Sequence, residues 1–289
     1  MNNIKKRYLT KTILLLSFIS LMTDVASEML YPIMPVYLKS IGFSTLLIGI
    51  LEGIAESTAG LSKGYFGKLS DVTGKRNIFI RLGYSISALS KPLLALSTLP
   101  IWVFFVRTLD RLGKGIRTSP RDAMLSDETT KENKGKVFGF HRAMDTLGAA
   151  IGPILALLYL LYKPEDYKML FLIAFFPGLI VIVLTFFIKE KTLKKEKSYD
   201  NVSFFSYLSY WKVASSDYKK LIIGLLAFAF FNSSDAFLLL MLKSRGLTDS
   251  YVIGAYIFYN IVYALFSLPA GYMGDKIGLA LTAKIGLVL

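Results

Sequence analysis

The sequence predicts an all-α polytopic membrane protein with about eight complete helices and the beginning of a ninth. Three observations predict it. Hydrophobic residues make up 54% of the 289, and the mean hydropathy is +0.51, too apolar for the surface of a soluble domain. Apolar stretches of about 20 residues, each long enough to cross roughly 30 Å of hydrocarbon, recur along the chain. Lysine and arginine then segregate into alternate connecting loops, as a fixed membrane topology requires.

The first apolar stretch, 12–38, follows the basic start Lys5, Lys6, Arg7 and Lys11. It is longer than the roughly 7 to 15 residues of a signal-peptide core, and Asp24 stands where a peptidase needs a small residue, so it reads as a retained first span. Further spans are expected near 45–67, 78–98, 100–118, 136–162, 168–188, 219–242 and 250–273, with another opening at Leu279. Lys39, Lys163, Lys168, Lys243 and Arg245 occupy one set of loops, and the opposite set carries several times as many basic residues. That bias predicts a cytoplasmic N-terminus in the cell membrane. Between the sixth and seventh spans, the charged run 189–197 is followed by Phe204, Phe205, Tyr207, Leu208, Tyr210 and Trp211, a pattern that predicts a short helix lying on the membrane surface.

An internal repeat organises the whole. Gly67-x-x-x-Asp71-x-x-Gly74 returns as Gly271-x-x-x-Asp275-x-x-Gly278, and Leu38-Lys39-Ser40-Ile41-Gly42 returns as Leu242-Lys243-Ser244-Arg245-Gly246. Both pairs have the same offset of roughly 200 residues, so two landmarks are duplicated together. The expected division is a six-helix lobe over 1–189, a cytoplasmic linker with its surface helix over 190–218, and a partial second lobe over 219–289. Gly60, Gly64 and Gly67, with Gly49 and Gly53 above them, share a helix face on which a second backbone is expected to pack closely.

The segment Gly67-x-x-x-Asp71-x-x-Gly74-Lys75-Arg76 resembles the loop 2-3 signature of the major facilitator superfamily (MFS), secondary transporters with two six-helix lobes. Arg107-Thr-Leu-Asp110-Arg111 is similar to the fourth-helix motif of that family, with Asp110 in place of a glutamine. Gly148-Ala-Ala-Ile-Gly152-Pro153 is similar to its fifth-helix packing motif, associated with antiporters. The resemblance implies an MFS fold with a complete N-lobe and an incomplete C-lobe. It also implies a conformational gate formed by Gly67, Asp71, Gly74, Lys75, Arg76 and Asp275, and transport as symporter or antiporter. The repeat length also leaves open a chain that does not transport as it stands and needs a partner or further C-terminal helices.

Charges inside the spans carry the functional reading, because an ionised group near mid-bilayer costs about 2.5 to 3.5 kcal/mol unless it faces a partner or a wet cavity. Arg107, Arg111, Lys114, Arg117 and Arg121 fall at helical spacings and form a basic ridge on the fourth span. At about 1.5 Å per residue, Asp24 lies roughly 18 Å up from the cytoplasm, and Glu52 and Arg107 lie about 20 Å up, which groups the three. Asp145, at about 13 Å, is expected beside Glu56 and Arg111. Asp24 and Glu28, then Glu52 and Glu56, are the candidate proton-coupling carboxylates, while Lys91, Asp110 and Asp235 join the cavity and charge network. His141 reads as a loop-contact residue rather than a proton carrier.

Several classes of function drop out. The net charge of +14 follows topology and does not suggest nucleic acid. No phosphate-binding Gly-rich loop precedes a Lys-Ser/Thr pair, and no His-Glu-x-x-His pattern occurs, so neither an enzyme, a cofactor nor a metal is expected. The expected partners are the bilayer, protons and a small charged or zwitterionic solute, with export favoured.

Overall fold

The computed structural model describes residues 9–189, 203–232 and 235–288. The basic triplet Lys5 to Arg7 and most of the charged connector after the sixth span lie outside the described residues. Among the described residues there are twelve α-helices, one short 3-10 turn and no strand.

The first expected span is two helices. α1 (Lys11–Glu28) starts where the Thr10 side chain accepts from the Ile13 N–H, and α2 (Met34–Ser40) carries Pro35 in its first turn. Pro32 and Pro35 lack the N–H that a continuous helix needs, and the stretch 12–38 is interrupted by a turn over 29–33. α3 (Thr45–Thr73) is capped by Ser44 and runs six residues past its expected end, which puts Asp71 on a helical turn rather than in a loop. It stops at Gly74, whose φ of 65° is left-handed.

α4 (Arg76–Leu94) and α5 (Pro100–Asp127) follow, and α5 continues well beyond the expected boundary at 118. Met124 and Leu125 are buried there, at 6% and 0% exposure, so part of the expected loop belongs to the helical interior. α6 (Lys134–Tyr162) and α7 (Tyr167–Thr185) follow α5. The expected surface helix is a 3-10 turn, Ser206–Ser209, leading into α8 (Tyr210–Val213). It docks on α3: Lys68 donates to the Ser206 carbonyl at 3.1 Å, and the Phe204 and Tyr65 rings lie 5.1 Å apart. The expected span 219–242 is divided between α9 (Ser216–Phe231) and α10 (Asp235–Ser244), followed by α11 (Asp249–Ile277) and α12 (Leu279–Val288).

The repeat is visible in the backbone. Among the described glycines, those with positive φ are Gly42 and Gly246, and Gly74 and Gly278, the two duplicated landmarks. α3 and α11, the helices between those landmarks, are each 29 residues long.

Packing runs through small residues. α1 lies against α6 and α7, α5 against α3 and α4, and α11 against α6. A Cβ on Gly152 would meet the Val25 carbonyl at 2.6 Å and the Met29 nitrogen at 2.7 Å, so α1 and α6 touch backbone to backbone. Gly135 and Gly139 do the same against Gly271 on α11. The glycine face expected on α3 is different: Gly53 and Gly60 meet nothing, Gly64 meets the Tyr207 ring and Gly67 meets Ser119. The close approach on α3 is instead at Ala59 and Ser62, into which Gly115 of α5 fits.

α6, α7 and residues 250–277 of α11 are long and apolar enough to cross a membrane by length and composition alone. α1, α3, α4 and α5 carry ionised groups in their apolar stretches, and those groups turn inward. The outer faces are apolar, with Leu46, Ile101 and Tyr162 between 74% and 78% exposed.

Candidate functional site

The ridge on α5 serves two separate interiors. Toward its N-terminal end the charges are closed off. Arg107 grips Glu52 of α3 with two hydrogen bonds, 2.9 Å from Nε and 3.2 Å from Nη2, and reaches Asp110 at 3.7 Å. On the other side of Asp110, Lys91 of α4 donates to Oδ1 at 2.8 Å and to Ser27 at 3.2 Å, and Ser90 donates to the same carboxylate oxygen. Lys91, Arg107 and Asp110 are each at most 7% exposed. Two cations and two carboxylates satisfy one another here, which is the condition for burying ionised groups. Lys91, Arg107, Asp110 and Glu52 therefore lie behind the cavity rather than on its wall.

Further toward its C-terminal end the same helix lines a cavity of about 410 Å³. Its basic wall is Arg111, Lys114, Arg117 and Arg121 of α5, with Lys63 of α3. Facing them are Asp24 and Glu28 of α1, Asp145 of α6 and Asp235 of α10. Tyr31 closes one end together with Tyr256, Tyr259, Asn260 and Tyr263 of α11. Many of these groups already have partners. Arg111 pairs with Glu56 at 3.1 Å, Arg117 donates to Ser87 and lies 4.6 Å over the Tyr84 ring, and Glu28 accepts from the Tyr256 hydroxyl at 2.6 Å. Arg121 donates to Ser20 and pairs with Asp122. Among the described residues, the side chains of Asp24 and Lys114 have neither a hydrogen bond nor an ion pair, and each lies within electrostatic range of the other.

The structure keeps Glu52 with Arg107 and Glu56 with Arg111, but it separates the carboxylates expected to join them. Asp24 does not reach Arg107, and Asp145 faces His141 and Arg142 instead of Arg111. Depth along the bilayer normal sets the level of a side chain and not its direction about the helix axis. α1 and α6 pack on each other, so Asp24 and Asp145 face the cavity from the wall opposite α3. His141 is not in a loop contact: it is buried at 4% exposure between α6 and α1.

Where α3, α4 and α5 meet at the other end of the bundle, Arg76 joins Asp71 at 3.0 Å and also contacts Asp127, while Lys75 stands at the N-cap position of α4 without a side-chain capping bond. Asp275 accepts from the backbone N–H groups of Gly135 and Lys136 at 2.6 and 2.7 Å, satisfying the free donors at the start of α6. Sequence reasoning missed Asp127, Arg142 and the tyrosines of α11. Tyr256, Tyr259, Asn260 and Tyr263 fall at i, i+3, i+4 and i+7, so their shared face was readable from spacing alone. Asp127 gave no local signal.

Inward-turned charges on a bundle of apolar helices, arranged around a polar cavity between two repeated halves, define a multi-pass membrane protein of the transporter class. The family model described as the Major Facilitator Superfamily matches residues 16–289, and the chain belongs to that family. An uncharacterised MFS-type transporter of Methanocaldococcus jannaschii is 36% identical over the full chain, which spans 72% of that relative. A multi-drug resistance efflux pump homologue of Lactococcus lactis is 24% identical over 53% of the chain and 38% of its own length. Among solved structures, the human organic anion transporter TETRAN superposes with a TM-score of 0.70 at 16% identity, covering 91% of this chain and 73% of that one.

Proposed function

We propose that the protein is a secondary active transporter that moves a small charged or zwitterionic solute across the cell membrane by alternating access, coupled to protons. Its two lobes are residues 1–189 and those from 219 onward, joined by 190–218, and the N-terminus is cytoplasmic. The observation that carries this reading is the cavity, with a basic wall on α5, an acidic wall on α1, α6 and α10, and the side chains of Asp24 and Lys114 left without hydrogen bonds on opposite sides. A solute bearing both signs of charge satisfies both walls at once, and a carboxylate such as Asp24 or Glu28 in that setting takes up a proton when the balance of charge changes. Export is favoured by relatives described as an efflux pump and, in Aspergillus niger, a citrate exporter, the latter 24% identical over 48% of the chain.

The test is flux in proteoliposomes containing the full-length protein, with radiolabelled amino acids as zwitterionic probes and citrate as an anionic one, with and without an imposed pH gradient. Gradient-driven movement of at least one probe class, reduced in Asp24→Asn and Glu28→Gln, is the expected result. Flux equal to that of empty liposomes for every probe, or coupling unchanged in both variants, overturns the reading.

A further inference from the structure

A buried histidine takes no part in the transport reading above. His141 of α6 has its Nδ1 3.2 Å from the hydroxyl of Ser17 on α1, and its Nε2 3.7 Å from Oδ1 of Asp145, one helical turn along. His141 and Asp145 are 4% and 6% exposed, and the two atoms that face each other, Nε2 and Oδ1, are both buried without a hydrogen bond. An interior ordinarily satisfies such atoms, so two orphans aimed at one another across a gap slightly too long for a bond need a reason.

A neutral imidazole has one N–H. Placed on Nε2 it points across the gap at Asp145; placed on Nδ1 it leaves two lone-pair acceptors opposed. A second proton supplies donors to both sides: one N–H to Ser17, the other to a carboxylate with which it now forms a charge-assisted bond, typically about 2.7 to 2.9 Å long. Asp145 borders the cavity whereas His141 stands behind it, so the carboxylate is the entry point for a proton from cavity water. The other charged groups within range are Asp24 on α1, Arg121 and Asp122 on α5, and Arg142 on α6.

Arg142 gives the pair its reach. Its Nη1 lies 3.9 Å from the second oxygen of Asp145, its Nε donates to the Tyr263 hydroxyl of α11 at 3.1 Å, and its guanidinium sits 4.8 Å over that ring. We infer that His141 and Asp145 form a proton-binding site, loaded from the cavity through Asp145, whose occupancy controls the Arg142–Tyr263 contact between α6 and α11. One proton enters and the site gains one positive charge. As Asp145 closes on the imidazolium it withdraws from Arg142, and the hold of α6 on α11 changes.

This rests on the proton-coupled reading of the cavity, yet it can be tested without knowing the substrate, because His141 is the single histidine of the sequence. The experiment is an NMR titration of the full-length protein in lipid nanodiscs, labelled with ¹³C and ¹⁵N at histidine. The imidazole is expected to titrate, and in Asp145→Asn its midpoint is expected to fall by about one pH unit or more, a tenfold loss of proton affinity. Ser17→Ala is expected to shift the tautomer signature, and it serves as the second probe if Asp145→Asn fails to fold. Resonances that stay constant from about pH 4.5 to 9, or a midpoint indifferent to both substitutions, overturn the inference. The two readings fail separately in the flux assay: movement of the amino-acid or citrate probes indifferent to the pH gradient in wild type sinks proton coupling as such, whereas gradient-driven flux retained in His141→Gln sinks only this site.

Discussion

At the scale of single residues, the decisive feature is that ionised side chains at similar depth fall into two groups with different consequences. The Lys91–Asp110–Arg107–Glu52 set is closed, so removing one member leaves a buried charge unmatched. Asp110→Asn is expected to destabilise the protein by about 3 to 5 kcal/mol, read as a lower unfolding temperature in detergent. The double variant Lys91→Met with Asp110→Leu recovers most of that loss, because Glu52 still neutralises Arg107. Lys114 behaves in the opposite way. Among the described residues its ammonium holds no hydrogen bond or ion pair, so Lys114→Gln leaves stability within about 0.5 kcal/mol of wild type, the range of sites without such features. If Lys114 holds the anionic end of the solute, the same change weakens flux roughly tenfold, the value of a lost charged hydrogen bond. Sequence spacing was sufficient to find the ridge and its contacts with Glu52 and Glu56. It failed for Asp24, Asp145 and His141, whose partners depend on how α1 and α6 rotate against each other.

At the scale of elements, glycine determines which helices touch. Gly152 lies against the backbone of α1, where no flexible side chain can move aside, so Gly152→Leu is expected to force α1 and α6 apart. The cost of such overpacking is about 1 to 3 kcal/mol, measured as a lower unfolding temperature, and it displaces Asp24 and Asp145 together because both stand on that interface. Gly148, Gly152 and Pro153 were legible as a packing motif, although the partner helix was not. The glycines of α3 illustrate the converse. Their spacing announced a close contact, but in the structure the approach falls at Ala59 and Ser62, where Gly115 of α5 supplies the missing Cβ space. Helix ends were the least legible feature. α3 and α5 continue past the point where hydropathy drops, since their last turns are held by Asp71, Arg76 and Asp127 rather than by lipid.

At the scale of the whole molecule, the basic loops predict an orientation in the membrane that is open to direct measurement. The sequence has no cysteine, so single cysteines report cleanly. Lys163→Cys is expected to react with a membrane-impermeant maleimide in intact cells, and Lys131→Cys only after permeabilisation; the reverse pattern would invert the proposed topology. Hydropathy, charge bias and a duplicated pair of landmarks were enough to establish an all-helical membrane protein built from related halves. These are one-dimensional signals: each is written in spacing along the chain and survives any rotation of one helix about its axis. The composition of the cavity is not of that kind. Asp24 faces Lys114, and His141 faces Asp145, because backbones meeting at glycine set the azimuth of α1, α5 and α6 to within a side chain's width, and that angle is a property of the packed bundle rather than of any one segment.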